Sequence, residues 1–403
     1  MAGITALGTT FNLPNFHGEL LQITPDDTPL LSAAGGLNGG KQATSTSFEW
    51  QEFDLREPQV RPRLEGQDAP NPEARVRANK DNIVQIFHEA VATSYTKQAA
   101  VDLYASAGQG ASNPVTNEHA WQITQTLKQI ARDVNYTFWH GKYNKPADNT
   151  TARQTRGLFE AITSSKQYAE QAETTGASTA TDTVTATHSL VVGDKVVFTN
   201  VGAATAIVPG RAYWVVQNST TASFKVSAVK GGAPITIGTA TGVAFVGVKA
   251  AEGVANVTSD RINGLLQSVF TNGGISEQGT ATLYVPPNLK PAVTAAYAKA
   301  NNSTVGVLNG TRNVGGVSVD TIITDFGTLN VAIERALPAD ALAVLSLEQI
   351  DPVFLSIPGK GVLFEEELAK TGSSDKTQVY GEIGLSYGNE RSHGIARGFY
   401  SAN

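Results

Sequence analysis

The chain has 403 residues, a formal charge of −6 from 30 Lys and Arg against 36 Asp and Glu, no cysteine, and 39 glycines. The missing cysteines exclude disulfides, thiolate metal sites and cysteine nucleophiles, and the acidic balance supplies no basic face of the kind that holds nucleic acid. No apolar run reaches membrane-span length, and residues 1–16 lack the basic start and apolar stretch of a signal peptide, so the chain is expected to stay in the cell that makes it. The length is enough for two or three structural units, and the abundance of Gly, Thr, Ser and Asn favours β-rich, loop-rich structure.

Residues 1–47 are broken by Pro14, Pro25, Pro29 and the pairs Gly35-Gly36 and Gly39-Gly40. They predict an N-terminal arm with one or two short helical turns, for instance around Asp26 to Ala33. Residues 48–92 are the most informative stretch. Pro58, Pro62, Pro70 and Pro72 rule out a continuous helix, since each lacks a backbone donor and restricts the residue before it. The flanks read as strands, with Phe48, Trp50 and Leu55 on one leg and Val76, Ile83 and Ile86 on the other, and a tip near Glu65 to Pro72. A long irregular segment in a compact domain points to function. Because so polar an arm has little core of its own, it is expected to be an extended hairpin lying on a neighbouring subunit. Its Arg56, Arg61, Arg63, Arg75 and Arg77 are interleaved with Glu52, Asp54, Glu57, Glu65, Asp68, Glu73 and Asp81. A stripe of mixed sign suits a complementary protein surface better than a phosphate backbone.

A helix is predicted over 94–107, ended by Gly108. The clearest element follows, over 114–140, with Asn113 as cap, Pro114 at the first helical position and Gly141 closing it. Ala120, Ile123, Leu127, Ile130, Val134 and Phe138 recur at spacings of three and four, which gives one apolar stripe along a spine about 40 Å long. Composition changes near Tyr168. Residues 182–187, 194–200, 211–217, 223–228, 233–238 and 242–247 then read as short strands. Turns such as Val192-Gly193-Asp194, Asn218-Ser219 and Gly231-Gly232 separate them at the rhythm, about 8–12 residues, of a small sandwich or barrel. Thr- and Ala-rich stretches at 172–180 and 250–258 are read as linkers bounding an inserted all-β domain.

Beyond it, helices over 259–271 and 288–301 and strands over 281–287, 317–324, 329–333 and 341–347 make a mixed α+β unit. The C-terminal stretches 362–369, 377–385 and 394–399 read as long strands, the first two joined by a polar tip at 370–376. The predicted organisation is 1–47 arm, 48–92 hairpin, 93–167 spine-helix unit, 168–257 inserted β-domain, 258–349 α+β unit and 350–403 terminal strands.

Catalytic and ligand-binding patterns are weak. The histidines (17, 88, 119, 140, 188 and 393) never fall at metal-ligand spacing and read as solvated or packed. Gly108-Gln109-Gly110 and Gly39-Gly40-Lys41 lack the context of phosphate-binding loops. Ser94-Tyr95-Thr96-Lys97 and Lys370-Thr371-Gly372 match two motifs of serine acyl-enzymes, but the middle motif is missing and the second falls in a polar turn. Ser94 is more economically a helix cap. No catalytic residue, cofactor or metal is expected.

The order of elements resembles the major capsid proteins of tailed phages, with the Hong Kong 97-like fold, and is most similar to the SU-ten-type major capsid family. The resemblance is carried by Ser47-Phe48-Glu49-Trp50, Arg77-Ala78-Asn79, Gln85-Ile86-Phe87, residues 93–101 and 118–133, and Arg156-Gly157-Leu158. It covers 1–165 and 258–403. It implies an α+β capsid fold in which the hairpin is the E-loop lying over a neighbour in a hexamer or pentamer. The spine helix and C-terminal strands would form a peripheral domain, and 258–349 an axial domain. The inserted domain departs from the minimal fold and by analogy would project from the outer surface. The implied function is self-assembly into the icosahedral head shell, enclosing double-stranded DNA without sequence-specific binding, in a virion assembled in the host cytoplasm. Decoration protein, scaffold and portal are further partners in such shells; a membrane is not. Candidate contacts between subunits are Arg56, Arg61, Arg63, Glu65, Arg75 and Arg77 on the hairpin, with Glu365, Glu366, Glu367 and Asp375 as acidic partners. Some relatives crosslink a lysine to an asparagine. Lys41 and Lys80 lie off the hairpin tip and 370–376 holds no asparagine, so a non-covalent shell is expected. A tail-tube or other virion structural protein and a serine acyl-enzyme hydrolase are the alternatives.

Overall fold

A computed structural model describes residues 22–37, 39–71, 73–100, 115, 117–170, 174–179, 182–204, 206–208, 211–218, 222–250, 255–275, 281–300, 311–314, 317–370 and 372–400. Its organising element is the helix Glu118–His140, about 35 Å long at 1.5 Å per residue. Asn117 caps it by accepting the Ala120 N–H at 3.1 Å, and the Gly141 N–H closes it on the Thr137 carbonyl at 2.8 Å. The helix therefore starts four residues later than the predicted 114; Asn113 and Pro114 lie outside the described residues. An asparagine directly before an acidic first turn is the stronger start signal, since it satisfies a free donor where the helix dipole favours negative charge. Ile130, Val134 and Phe138 are buried, Ile123 and Leu127 pack on the same core, and Ala120 remains exposed.

That stripe packs on a sheet ordered Lys41–Ala43, Asp351–Leu355, Ser374–Ser386, Leu363–Glu367, with Gln85–Ser94 also pairing Ser374–Ser386. The last pairing is antiparallel and runs from Ser94 opposite Ser374 to Gln85 opposite Ile383. The strand Asp351–Leu355 was not anticipated, because Pro352 reads as a breaker; it sits near the strand start, where a missing donor is tolerated. Leu363–Glu367 and Ser374–Ser386 match the expected C-terminal strands, whereas 394–399 is two short strands, Gly394–Ala396 and Phe399–Tyr400. Helix Pro29–Ala33 lays Leu30 and Leu31 into the same core, as the arm's expected helical turn. Of the helix predicted over 94–107, Tyr95–Ala100 is helical and the remainder lies outside the described residues.

A second core lies between helices Ser259–Thr271 and Lys290–Ala300 and the strands Val317–Thr324, Gly327–Ile333, Ala281–Val285 and Leu342–Ser346. All five residues of Ala281–Val285 are buried, as expected for a central strand parallel to one neighbour and antiparallel to the other. A third core, including Val184, Phe198, Tyr213, Phe224 and Phe245, fills the β-rich segment expected to be an inserted domain. Two expectations there are corrected. Residues 233–238 form no strand, although the Ile235 N–H bonds the Val226 carbonyl at 2.8 Å. The stretch 172–180, read as a linker, contains the strand Thr174–Thr179, and within 250–258 Ala255–Asn256 pairs with Phe399–Tyr400. Thr- and Ala-rich composition fits a half-buried strand as well as a linker. The ladder is continuous: Gly394–Ala396 pairs Lys166–Glu170, which pairs Ala240–Ala250.

Buried polar groups join these cores. Asp340 is fully buried and meets Arg397 at 3.1 Å, Lys195 of the inserted segment at 3.3 Å and the Gly398 N–H at 3.2 Å. Burial would raise its carboxyl, but Arg397 and Lys195 overcome that and hold it at about 2. His393 is also fully buried, accepting the Ser346 N–H on Nδ1 at 3.2 Å and donating from Nε2 to the Tyr387 carbonyl at 2.8 Å. Burial lowers its pKa below the ordinary value of 6.5.

Asp340→Ala would leave two buried cations without their counter-charge, and is expected to cost about 3–5 kcal/mol in denaturant unfolding of the unassembled subunit. A loss below about 1 kcal/mol would show that the junction does not hold the cores together. The unfolded chain protonates His393 more readily than the folded one, so stability present above pH 6.5 is lost as pH falls below it. Stability measured across this range should fall less steeply in His393→Gln; parallel curves would contradict the assignment.

Candidate subunit interface

The charged hairpin divides into a braced root and an uncovered arm. At the root, Ser47–Phe53 and Arg77–Ile83 pair antiparallel, from Ser47 opposite Ile83 to Phe53 opposite Arg77. Asn82 is buried; its amide donates to the Leu385 carbonyl at 2.7 Å and the Arg156 carbonyl at 3.2 Å, and accepts the Arg156 N–H at 2.8 Å. The Trp50 indole donates to the Gly388 carbonyl at 3.0 Å and sets its ring edge against Tyr387 at 4.9 Å. The Arg156 guanidinium lies 4.2 Å over Tyr143 and donates to the Tyr387 hydroxyl at 3.1 Å and the Asp81 carbonyl at 3.3 Å. The Tyr143 hydroxyl donates to the Asp81 carboxylate. Burial and then the Asp81 hydrogen bond push the Tyr143 pKa up to about 12, so it remains a donor at neutral pH. These contacts fix the direction in which the hairpin leaves the body.

Beyond the paired strands, residues 54–71 and 73–76 contain neither helix nor strand and are exposed throughout. The chain reverses at Glu65-Gly66, where Gly66 takes φ +77° and the Gln67 N–H bonds the Leu64 carbonyl at 3.2 Å. This is the predicted tip. Phe53, Leu55, Val60, Leu64 and Val76 are all exposed, Val60 at 96% and Leu64 at 81%. Apolar side chains gathered on one uncovered arm mark a surface that is meant to be covered. One carboxylate links the two legs: Glu73 accepts from Arg61 at 2.9 Å and lies 3.5 Å from both Arg56 and Arg75. Arg61 is the chief cause of the lowered Glu73 pKa. Exposed pairs of this kind contribute little to stability, so Glu73 acts on the shape of the arm more than on its free energy.

The predicted contact residues fall on two separate surfaces. Arg56, Arg61 and Arg75 gather around Glu73, Arg77 reaches Gln51 across the ladder at 3.2 Å, and Arg63 and Glu65 are exposed at the tip. In the C-terminal hairpin, Glu366 is held by Lys360 at 2.7 Å and Gln378 at 3.0 Å. Asp375 is held by Lys370 at 2.8 Å and Gln98 at 3.1 Å, and Glu365 and Glu367 are exposed. Among the described residues no ion pair joins the two surfaces within one chain. Sequence reasoning missed the bracing roles of Tyr143, Arg156 and Tyr387 at the root, because their partners lie far away in sequence, and took Asp81 only as one of the interleaved acids. Glu73 carried a local signal, an acid set between arginines, but was read as one of many.

The serine motifs do converge in space: Ser94 pairs with Ser374, and the Tyr95 N–H bonds the Ser373 carbonyl at 3.2 Å. It is the backbone N–H of Lys97, not its ammonium, that meets Ser94 Oγ, at 3.3 Å, which is the expected helix cap. Lys370 is paired with Asp375, and Thr371 lies outside the described residues. Among the described residues, no cluster of three or more His, Asp or Glu could hold a metal ion. His119 bridges Thr93 at 3.0 Å and Thr377 at 2.8 Å, and His140 meets the Ala336 carbonyl at 2.7 Å, both tying the spine helix to its surroundings. Among the described residues, no helix is long and apolar enough to cross a membrane.

A family model for the SU10 major capsid protein matches residues 3–399. Among solved structures, the capsid subunit of cyanophage A-1(L) is similar with a TM-score of 0.53 and 11% identity, over 97% of this chain and 98% of that one. The capsid of Myoviridae phage XM1 is similar with a TM-score of 0.49 and 9% identity, over 99% and 100%. No curated protein matches the chain. The cyanophage likeness shows the mixed α+β capsid fold that the order of elements implied. With the family model spanning nearly the whole sequence, the chain belongs to the SU10 major capsid protein family, the shell proteins of tailed-phage virions.

Proposed function

We propose that the hairpin expected over 48–92 is the E-loop, its projecting part ending before the body strand Gln85–Ser94, and that it lies over the neighbouring subunit of a hexamer or pentamer as the main lever of shell assembly. The observation that carries this reading is the arm's uncovered apolar surface, Leu55, Val60, Leu64 and Val76, on a hairpin braced at its root. A monomer gains nothing from exposing these side chains on a segment without secondary structure, whereas many copies repeating one modest contact gain a cooperative shell. In this reading the spine helix and terminal strands form the peripheral domain, 258–349 the axial domain, and the inserted β-rich segment an outward projection. Arg63 and Glu65 at the tip contact the neighbour directly, while Arg56, Arg61 and Arg75 act mainly through Glu73. Glu365 and Glu367 are the acidic residues best placed to receive a cation from another copy.

The shell encloses double-stranded DNA without reading its sequence, consistent with a net charge of −6. Assembly takes place in the host cytoplasm, with decoration protein, scaffold and portal as accessory partners, and the protein's role is structural and non-enzymatic. The joints are non-covalent. Lys41 is engaged by Asp351 at 2.8 Å, and Lys80 sits in the root ladder opposite Trp50, away from the tip.

Val60→Asp combined with Leu64→Asp changes only exposed positions, so the subunit's thermal midpoint should hold while shell yield falls at least about tenfold by electron microscopy and sedimentation. Normal shell yield would remove the arm from the assembly contacts. Reversing Arg61 and Arg63 to Glu is expected to block assembly likewise and to leave the subunit folded. Peptide mapping of intact shells should recover Lys41 and Lys80 in unmodified peptides; a Lys–Asn isopeptide at either would overturn the non-covalent reading.

A further inference from the structure

A second feature of the molecule has no part in the hairpin. Where the inserted segment meets the body, a cleft of about 1030 Å³ opens between the strands Lys195–Asn200, Ala212–Asn218 and Ala240–Ala250 on one side and residues 287–291 and 335–339 on the other. Lys142, Lys195, Arg211, Lys230, Arg335 and Arg397 line it, and among the described residues lining it there is no Asp or Glu. The counter-charges stand behind the wall: Asp340 beneath Lys195 and Arg397, and Asp27 beside Arg335 at 2.8 Å. Lys142 and Arg211 are exposed at the rim. In a chain of net charge −6, cations gathered in one concavity are a local reversal of sign, and low-dielectric walls focus the field of such a concavity.

Apolar side chains are interleaved with these cations. Trp214 lies under Lys195 at 4.3 Å, and Pro287, Pro338 and the exposed Val229 face the same space. A free phosphate would use the cations and leave this surface idle. A DNA duplex carries its phosphates on a convex cylinder and could reach only the rim. A volume at the upper end of small-ligand pockets, with charged and apolar groups interleaved, fits a short peptide whose carboxylates alternate with apolar side chains. The floor already shows the required chemistry, since Lys195 and Arg397 together hold the Asp340 carboxylate. Lys195 is pushed down to about 8 by burial, against the pull of Asp340, and so retains its charge at neutral pH.

We infer that this cleft is a docking site for a short acidic, apolar-interleaved segment of a partner protein bound by the capsid subunit. The proposal stands apart from the E-loop reading, because it concerns different residues and is tested on the unassembled chain. The probe is a fluorescein-labelled nonapeptide alternating glutamate with leucine and phenylalanine, compared with its glutamine counterpart, by anisotropy on the full-length subunit. The glutamate peptide should bind about tenfold or more tightly than the glutamine peptide, and raising salt should weaken it. It should lose at least about tenfold in affinity in the double variant Lys142→Glu, Arg211→Glu, whose exposed positions leave folding intact. Binding should also change the indole emission of the native subunit and leave that of Trp214→Phe unchanged. Equal binding of both peptides, or full affinity in the double variant, would overturn the site. If inorganic tripolyphosphate displaced the peptide at equal concentration, the cleft would be a phosphate site and the acidic-peptide assignment would be wrong.

Discussion

A segment that cannot bury its own apolar side chains must be held firmly at one end and covered by something else at the other. That constraint shapes this protein. The held end is the root, where Asn82 bonds Leu385, Arg156 and the Ile83 N–H, where Arg156 links Asp81 to Tyr387 and Tyr143 donates to Asp81, and where Trp50 bonds Gly388 and packs against Tyr387. The uncovered end is the arm from residue 54 to 76, whose prolines prevent it from folding into helix or sheet and so keep it available. Rigidity at the root is what gives an irregular arm a direction.

The root is rigid because it is built on the sheet of the first core. Residues 387 and 388 follow directly on the long strand Ser374–Ser386, which pairs with Gln85–Ser94 on one side and with Asp351–Leu355 and Leu363–Glu367 on the other. Gln85–Ser94 is itself the direct continuation of the hairpin's second leg, so the arm leaves the body along a strand already locked over ten residues. The spine helix then covers this sheet with Ile130, Val134 and Phe138. Displacing the arm at its root would therefore mean unpairing the sheet that forms the first core.

Much of this was legible in the sequence, and for stated reasons. The 3.6-residue stripe from Ile123 to Phe138, the apolar run of Ala281–Val285 and the in-phase Ile262, Leu265, Leu266 and Val269 of Ser259–Thr271 are local signals, and each gave the right element. The turn at Glu65-Gly66 falls within the tip expected near Glu65 to Pro72. What failed was non-local or ambiguous. The helix start was placed at Pro114, although Asn117 gave the better cap. The Thr- and Ala-rich stretch at 172–180 has the composition of a linker but pairs as Thr174–Thr179 with Ala240–Ala250, a contact that no local pattern announces. The candidate interface was legible as a region, while its internal wiring through Glu73, Tyr143 and Arg156 was not. The same holds for the cationic cleft, whose Lys142, Arg211, Arg335 and Arg397 are scattered along the chain and meet only after folding.

The most direct test of the central claim is a cryo-electron-microscopy map of the assembled shell that resolves residues 54–76. Each arm should lie on a neighbouring subunit with Val60 and Leu64 covered by it, while the Asn82, Trp50 and Tyr143 contacts at the root are unchanged. A shell in which the arm folds back on its own subunit, or stands free in solvent with Val60 and Leu64 uncovered, would contradict it.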